Sequence, residues 1–356
     1  MRLLIALLLG LLATPAFAQL HPTGRAVVTD AIEKVIRPGF AAFASQTEEM
    51  KGRLAELCGD ASEARLAAAR EQFGPVVTAW SRIENFRFGP LMRENRSDRV
   101  LFWPDRKGIA LKQVQAILAE QDASATVPET LKAKSVAVQG LGALEFVLFG
   151  TGAEALAGPE GAFRCSFGAA IGSVLSDTAV EMSTEWNDPE GISARLIRPS
   201  ESDPDYRSND EVLEELVGVM AHGVEAIRDQ RILPFLGRNG AEPKPKSALF
   251  WRSNQTVPSI LAGFDGLRTL LVDSHIWERA PSEQFWIGEQ AMAEFDNAAI
   301  DLSGVSGTVE QALADTAQVD LLGNVVISSQ VLGNLTGEDL PAALGLSVGF
   351  SSLDGD

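Results

Sequence analysis

The spacing of apolar residues constrains the fold of this chain more than any other feature. Between residues 66 and 83, apolar side chains recur every three or four positions, which marks the buried face of an amphipathic helix. Strand-like alternation is nowhere sustained, so the sequence predicts an all-α fold. Pro38-Gly39 is expected to break or kink the first long helix. The predicted helical stretches are 26–56, 66–83, 109–120, 130–149, 162–186, 211–235, 257–276, 283–300 and 308–333.

A short internal repeat divides this helical pattern into two parts. The segment Leu101-Phe102-Trp103 recurs as Leu249-Phe250-Trp251. Two weaker matches precede it in the same order, and collinear matches indicate a duplicated unit. We therefore expect two helical bundles of about four main helices each. The weaker matches are Glu84-x-x-Arg87 with Glu225-x-x-Arg228, and Pro90 and Asn95 with Pro234 and Asn239.

A boundary between the two bundles is expected in the polar, proline-containing stretch 187–209, which reads as a loop. The stretch 237–246 is a second irregular connection. The predicted organisation is a signal peptide at 1–18, an N-terminal helical bundle at 19–200 and a C-terminal helical bundle at 201–356.

The first 18 residues have the pattern of a secretory signal peptide. Arg2 supplies the positive charge, residues 3–12 form an apolar run, and Ala16-Phe17-Ala18 resembles a cleavage site. The apolar run is too short to span a membrane, and no later stretch reaches the length of about 18 apolar residues that a span requires. The sequence therefore predicts an exported protein without a membrane span.

The chain is strongly acidic, with 48 acidic against 30 basic side chains and a formal net charge of −18 at pH 7. Such a surface repels phosphate backbones and anionic lipid headgroups. Nucleic acid and membrane surfaces are therefore not expected as partners. Two interpretations of the negative charge stay open: the surface attracts cations, or it is a solvated surface that binds no specific ligand.

Two cysteines, Cys58 and Cys165, would lie in an oxidising compartment after export. No Cys-x-x-Cys motif or Cys/His cluster offers another use for them. A disulfide is the favoured interpretation, and its removal would cost roughly 2–5 kcal/mol. Two separate buried thiols are the alternative.

Glu145 is the most informative candidate site residue, because it ends the segment 140–145 inside an otherwise apolar helix. A helix that is apolar on all sides is normally buried, and a buried carboxylate needs hydrogen-bond donors, a cation or a proton. Gly140 and Gly142 indicate close approach of another backbone or of a ligand. Two interpretations stay open: tight helix packing with an arginine paired to Glu145, or a ligand or cation pocket beside it.

A second polar group lies on the stripe 66–83 and just after it. Trp80, Glu84 and Arg87 share one helix face, on which Glu84 and Arg87 can pair directly or Arg87 can reach Glu145. A structural salt bridge between helices is the alternative to a site. With Trp103 and Asp105, these residues complete the candidate lining of a ligand cleft near Glu145.

His222 and Glu225 form a histidine–carboxylate pair at helical spacing, which can place both side chains on one metal ion. They and Glu145 are the metal-ligand candidates, although a histidine on the helix surface without a ligand role is the favoured interpretation of the pair. The known zinc-hydrolase patterns need about three protein ligands, and no His-Glu-x-x-His motif is present. No Gly-x-Ser-x-Gly motif or glycine-rich phosphate loop indicates another enzyme class.

Five segments spread over the mature chain form one recognisable pattern: 35–40, Trp80 to Pro90, Phe102-Trp103-Pro104-Asp105, Gly140 to Glu145, and the ending from Leu344 to Asp356. Taken together they resemble the imelysin family, and the resemblance covers nearly the whole mature chain. This resemblance implies an all-α fold of two bundle-like halves, an exported protein of the bacterial periplasm, and a link to iron acquisition or iron-regulated expression. It also implies a functional site at the motif region, near the junction of the helical units.

The family motif, Gly-x-His-x-x-Glu, is incomplete in this chain. Gly140 and Glu145 match it, whereas Gly142 stands at the histidine position. The histidine and glutamate are the reason the family is filed among metallopeptidases. We therefore expect a non-catalytic binding or accessory protein linked to iron or metal acquisition, with a small ligand, an iron or zinc ion, or an envelope protein as partner. The alternatives are a metallopeptidase that uses Glu145, and an acidic scaffold that contacts an envelope protein.

Overall fold

The computed structural model describes residues 21–237 and 241–347, and within these ranges every regular element is a helix. The predicted all-α class is therefore confirmed. The signal-peptide prediction for residues 1–18, the repeat position Asn239 and the resemblance beyond Ser347 lie outside the described residues. None of the described helices is both long and apolar enough to cross a membrane.

Sixteen α-helices are described, and most of the long ones follow the predicted stripes. They are α1 (Gly24–Asp30), α2 (Arg37–Gly59), α3 (Glu63–Ile83), α4 (Arg96–Val100), α5 (Ile109–Glu120), α6 (Pro128–Lys132), α7 (Gly140–Phe149), α8 (Ala162–Asn187), α9 (Ile192–Ile197), α10 (Asn209–Ala226), α11 (Leu233–Leu236), α12 (Thr256–Asp273), α13 (Trp286–Gly304), α14 (Val309–Ala314), α15 (Thr316–Asn334) and α16 (Leu340–Leu344). Short 3₁₀ turns occupy Gly89–Asn95, Ala123–Thr126, Val136–Val138, Ala153–Ala157, Pro159–Gly161, Pro245–Ser247, Ile276–Arg279 and Ser282–Gln284.

Helix α3 shows how directly the apolar pattern becomes a packed element. Ser62 caps its first turn by accepting a hydrogen bond from the amide of Arg65. The six apolar residues of the predicted stripe are all at most 1 % exposed, so the face identified from the sequence is the face that packs. These residues are Leu66, Ala69, Phe73, Val76, Trp80 and Ile83.

In the part of the chain that the structure describes, three π-helical turns each lead directly into a helix whose second residue is proline. Arg37, which precedes Pro38, donates its amide to the carbonyl of Ile32, five residues earlier. Proline has no amide hydrogen and its ring clashes with the carbonyl four residues earlier, and the wider π turn moves that carbonyl aside. The disturbance expected at Pro38-Gly39 therefore takes the form of a π turn. The three pairs are Ala31–Ile36 with Pro38, Ile227–Ile232 with Pro234, and Leu335–Asp339 with Pro341.

The helices pack as two groups that share one core. In the first half α2 packs on α3 and α8, and in the second half α13 packs on α12 and α15. Helix α12 also packs on α3, and the short α1 packs on α10, so contacts between the halves are extensive. The buried apolar residues of the described ranges form a single cluster that runs from Val27 to Leu340. The division into domains at residue 200 stays a prediction.

The predicted disulfide is confirmed, with Cys58 at the end of α2 bonded to Cys165 in the first turn of α8. The two Cα atoms are 5.5 Å apart, and the cysteines are 107 positions apart in the sequence. A cross-link that closes so long a loop removes much of the conformational freedom of the unfolded chain. It ties together α2 and α8, which pack along their lengths.

Candidate functional site

Both copies of the Leu-Phe-Trp repeat line the same cleft, which has a volume of about 670 Å³. We call it the repeat cleft. Its size and partly aromatic lining are typical of small-molecule sites. Its walls are residues 101–106, the α5 residues Ala110, Leu111 and Val114, the α7 residues Gly142, Glu145 and Phe146, Asp229, Gln230 and Pro234, and residues 246–252.

The two motif glycines have different structural roles. Gly140 has a φ of +73°, and a Cβ there would lie 2.3 Å from the carbonyl oxygens of both Arg99 and Val100. Only glycine permits this approach of α7 to the chain that leads into the first repeat segment. Gly142 instead lines the repeat cleft, and a Cβ there would meet no atom within 4 Å. The position of the family histidine thus opens onto empty space in the cleft.

Glu145 is buried, as the sequence predicts, with an exposed fraction of 5 %. Its Oε1 accepts hydrogen bonds from the backbone amide of Ser253 at 3.0 Å and from the Ser253 hydroxyl at 2.8 Å. Burial raises the pKa of the Glu145 carboxyl, while the Ser253 hydrogen bonds and the nearby charge of Arg252 oppose this rise. Glu145 therefore joins α7 to the chain just after the second repeat segment.

Arg87, considered above as a partner for Glu145, is exposed and lies beside Glu84 instead. The main partner of Glu84 is Arg231, whose Nη1 is 2.5 Å from Glu84 Oε1. Arg231 is only 6 % exposed and also donates from Nη2 to the hydroxyl of Ser259 at 2.8 Å. Burial raises the pKa of the Glu84 carboxyl, against the opposing charge of Arg231. A structural salt bridge, given above as the alternative to a site, is therefore present on this face. Its cation is Arg231 and not Arg87, and it connects the end of α3 to the π turn after α10.

The two predicted tryptophans lie in different parts of the structure, one in the core and one in the wall of the repeat cleft. Trp80 is buried and packs on Phe43, with ring centroids 5.3 Å apart. Trp103 lines the repeat cleft and donates from Nε1 to the carbonyl of Gln230 at 3.1 Å. Trp80, Glu84 and Arg87 line a separate cavity of about 40 Å³, which Trp103 also lines.

Asp105 also lines the repeat cleft, but its carboxylate caps helix α5. Its Oδ1 accepts from the amide of Ile109 and its Oδ2 from the amide of Ala110, both at 2.8 Å. These bonds satisfy two of the unpaired amides at the start of a helix. The role of Asp105 that the structure supports is therefore structural.

The metal-ligand candidates Glu145, His222 and Glu225 do not come together. Across residues 21–237 and 241–347, no three histidine, cysteine, aspartate or glutamate side chains form a group that could hold a metal ion. His222 and Glu225 lie on α10, outside the lining of the repeat cleft.

Among the cleft residues that the sequence analysis did not identify as ligand contacts, Lys246, Trp251 and Arg252 form one cluster. The guanidinium carbon of Arg252 is 4.4 Å from the Trp251 ring centroid and 5.4 Å from that of Phe146. The Nζ of Lys246 is 5.7 Å from the Trp251 ring centroid. The repeat offered a signal for them, because Trp251 matches the candidate residue Trp103 and Arg252 follows it directly.

We expect Glu145→Gln to stabilise the protein near neutral pH. The pKa of Glu145 is raised above its ordinary value of 4.5, so the folded protein holds this proton at pH values where the unfolded chain has lost it. The stability that Glu145 contributes is therefore complete below about pH 4.5 and falls as the pH rises through the folded-state pKa. Glutamine keeps an acceptor for both Ser253 hydrogen bonds without this pH-dependent loss.

The measurement is the unfolding midpoint of both proteins between about pH 4 and pH 8. The variant should gain over the natural protein as the pH rises, and the two should converge in acid. Glu129→Gln, which removes one exposed carboxylate, controls for net charge. A difference in unfolding midpoint that is the same at every pH would contradict a raised pKa of the Glu145 carboxyl.

Comparison with known proteins gives a consistent result. Residues 36–326 match the family model of imelysin, described as Peptidase_M75. The structure is similar to that of an imelysin-like protein from Psychrobacter arcticum 273-4, with a TM-score of 0.77 and 18 % identity over 92 % of this chain and 97 % of the other. It is also similar to a protein from Parabacteroides distasonis ATCC 8503, assigned as an iron-regulated protein A precursor, with a TM-score of 0.68 and 13 % identity over 90 % and 97 %. No curated protein matches the sequence.

Proposed function

The chain belongs to the imelysin family, and we propose that it is a non-catalytic binding protein that holds a small ligand in the repeat cleft. The observation that carries this proposal is that both repeat segments and the motif helix α7 line one cavity of about 670 Å³. The half-buried rings of Phe102, Trp103 and Trp251 supply the apolar surface that such sites use to bind ligands.

The residues around Glu145 do not fit a catalytic metal. A metallopeptidase needs protein ligands that hold the ion and leave one coordination position open. In this chain Gly142 supplies no imidazole, and Glu145 Oε1 already accepts two hydrogen bonds from Ser253. The candidate ligands His222 and Glu225 belong to a different part of the described structure. These contacts favour binding over peptide hydrolysis.

We place the protein in the periplasm and link its ligand to iron supply. The signal-peptide pattern of residues 1–18 supports export. The assignment of the Parabacteroides distasonis protein as an iron-regulated protein A precursor supports the iron link. In the cells that make this protein, its amount should rise when an iron chelator is added, as measured by quantitative mass spectrometry. An unchanged amount would remove the iron link and leave cleft binding in place.

Filling the cleft tests the binding function. We expect the neutral fluorescent dye N-phenyl-1-naphthylamine to bind saturably, and Gly142→Phe to weaken its binding about tenfold or more, because the new ring occupies the open space at Gly142. Gly52→Phe is the matched control, since Gly52 is also a helical glycine with no atom near its Cβ position but lies outside the cleft. Equal loss in both variants, or in neither, would contradict the proposal.

Peptidase activity is tested in parallel with casein as substrate and added Zn²⁺ or Fe²⁺. Hydrolysis that is present in the natural protein and absent in Glu145→Gln would overturn the non-catalytic assignment.

A further inference from the structure

We propose that the repeat cleft selects ligands that carry an anionic group on a flat apolar body, with Arg252 and Lys246 binding the anion. This inference rests on the proposed function, because it names the ligand class of the same cleft. It runs against the overall charge of the chain, which is −18 at pH 7 and by itself repels anions. The local arrangement of charges in the cleft therefore has to carry the argument.

The acidic side chains of the cleft are already engaged within the protein. Asp105 accepts two amide hydrogen bonds at the start of α5, and Glu145 accepts both Ser253 hydrogen bonds on one oxygen. Both carboxylate oxygens of Asp229 bind Arg228, one to Nε at 3.1 Å and the other to Nη2 at 2.8 Å. The negative charge that lines the cleft is thus largely matched by neighbouring donors.

Three basic side chains line the cleft, and the two that pack on its rings, Lys246 and Arg252, are not engaged in the same way; the third, Arg106, is exposed. In the described ranges, the side chains of Arg252 and Lys246 take part in no hydrogen bond or close ion pair, and both cations lie against ring faces. Glu145 attracts Arg252 through its charge, but its Oε1 is occupied by Ser253. Both cations therefore keep their N–H donors available to a ligand.

Arg164 shows how a comparable arginine is used elsewhere in this protein. Like Arg252, it packs over the Phe146 ring and is half-buried, and burial lowers the pKa of both guanidinium groups. Arg164, however, donates hydrogen bonds to the carbonyls of Phe146, Val147 and Thr151 at the end of α7. A half-buried guanidinium whose donors meet no protein acceptor is suited to a carboxylate, sulfonate or phosphate group.

The aromatic rings that line the cleft favour a flat apolar body as the second part of the ligand, beside its anionic group. Arg252 covers one region of the Trp251 ring, and Trp103 holds the corresponding position in the first repeat segment. The hydrogen bond from Trp103 Nε1 to Gln230 fixes the orientation of that indole. Flat apolar groups pack well on indole rings, so a ligand with a planar body can use these walls while its anion reaches Arg252 and Lys246.

Two dyes with the same aromatic body test the charge preference. N-phenyl-1-naphthylamine is neutral, whereas 8-anilinonaphthalene-1-sulfonate carries an anionic sulfonate. In the double variant Arg252→Gln/Lys246→Gln, we expect the dissociation constant of the sulfonate dye to rise about tenfold or more, because charged hydrogen bonds are lost. That of the neutral dye should change by less than about twofold, which also reports that the cleft remains folded.

The matched control is Lys51→Gln/Arg53→Gln on α2, which removes the same two charges outside the cleft. If this control weakens binding of the sulfonate dye as much as the cleft variant does, the effect comes from the net charge of the protein, and the inference is overturned. If Gly142→Phe weakens both dyes but the cleft double variant weakens neither, the cleft binds ligands without selecting anions, and only this inference fails. If Gly142→Phe affects neither dye, the proposed function fails and the inference with it.

Discussion

Replacing Arg231 with methionine should lower the free energy of unfolding by about 3–5 kcal/mol, which is the usual cost of removing one partner of a buried ion pair. The substitution leaves the Glu84 carboxylate, 13 % exposed, without its cation, and it also removes the donor to Ser259. Burial already raises the pKa of Glu84, so without Arg231 this carboxyl should take up a proton more readily. The loss of stability should therefore be larger at high pH than at low pH.

Urea unfolding measures this loss, and Arg87→Met is its matched control. Arg87 lies beside the same carboxyl but is exposed, so its removal should cost less than about 1 kcal/mol. Adding Glu84→Gln to Arg231→Met should restore part of the stability, because the uncompensated charge is gone. Equal costs for the two arginines would show that Arg231 is not the principal partner.

Substituting alanine at the two motif glycines should have opposite effects on stability. Gly140→Ala should cost roughly 2–6 kcal/mol, because alanine is strained at a φ of +73° and its Cβ would overlap two carbonyl oxygens at 2.3 Å. Gly142→Ala should stabilise the protein by about 0.5–1 kcal/mol, because the new Cβ meets open space and alanine favours the helix.

Thermal or urea unfolding of both variants measures these changes in stability, and each variant serves as the control for the other. The two positions are separated by one residue in the same helix, so differences in expression or general handling cancel. Destabilisation by both alanines would mean that Gly142 is needed for packing, which would contradict its assignment as an open wall of the repeat cleft.

Local patterns in the sequence predicted several structural features correctly. The stripe 66–83 predicted both helix α3 and its buried face, and the apolar surroundings of Glu145 predicted its burial. The disulfide followed from two cysteines in an exported chain. The repeated Leu-Phe-Trp segment singled out two stretches that the fold places around one cleft. Each of these inferences depends on neighbours in the chain or on composition.

Partners that are distant in the chain could not be predicted in this way. Helical spacing favoured Arg87 for the carboxylates, but Glu145 binds Ser253, 108 positions away, and Glu84 binds Arg231, 147 positions away. Which distant residue becomes the partner of a polar side chain depends on which helices pack together. That packing is decided by the fit of whole apolar faces, such as that of α12 on α3.

The sequence by itself determined that this chain is helical, that its core follows the apolar stripes, and that Glu145 is largely buried. These properties depend on the 3.6-residue period of the helix and on the burial of apolar side chains. Both can be recognised from residues that are close together in the sequence. Only the tertiary structure decided that Gly140 is required by a close backbone approach while Gly142 opens a cleft. The reason is that the space around a glycine is set by the rest of the fold.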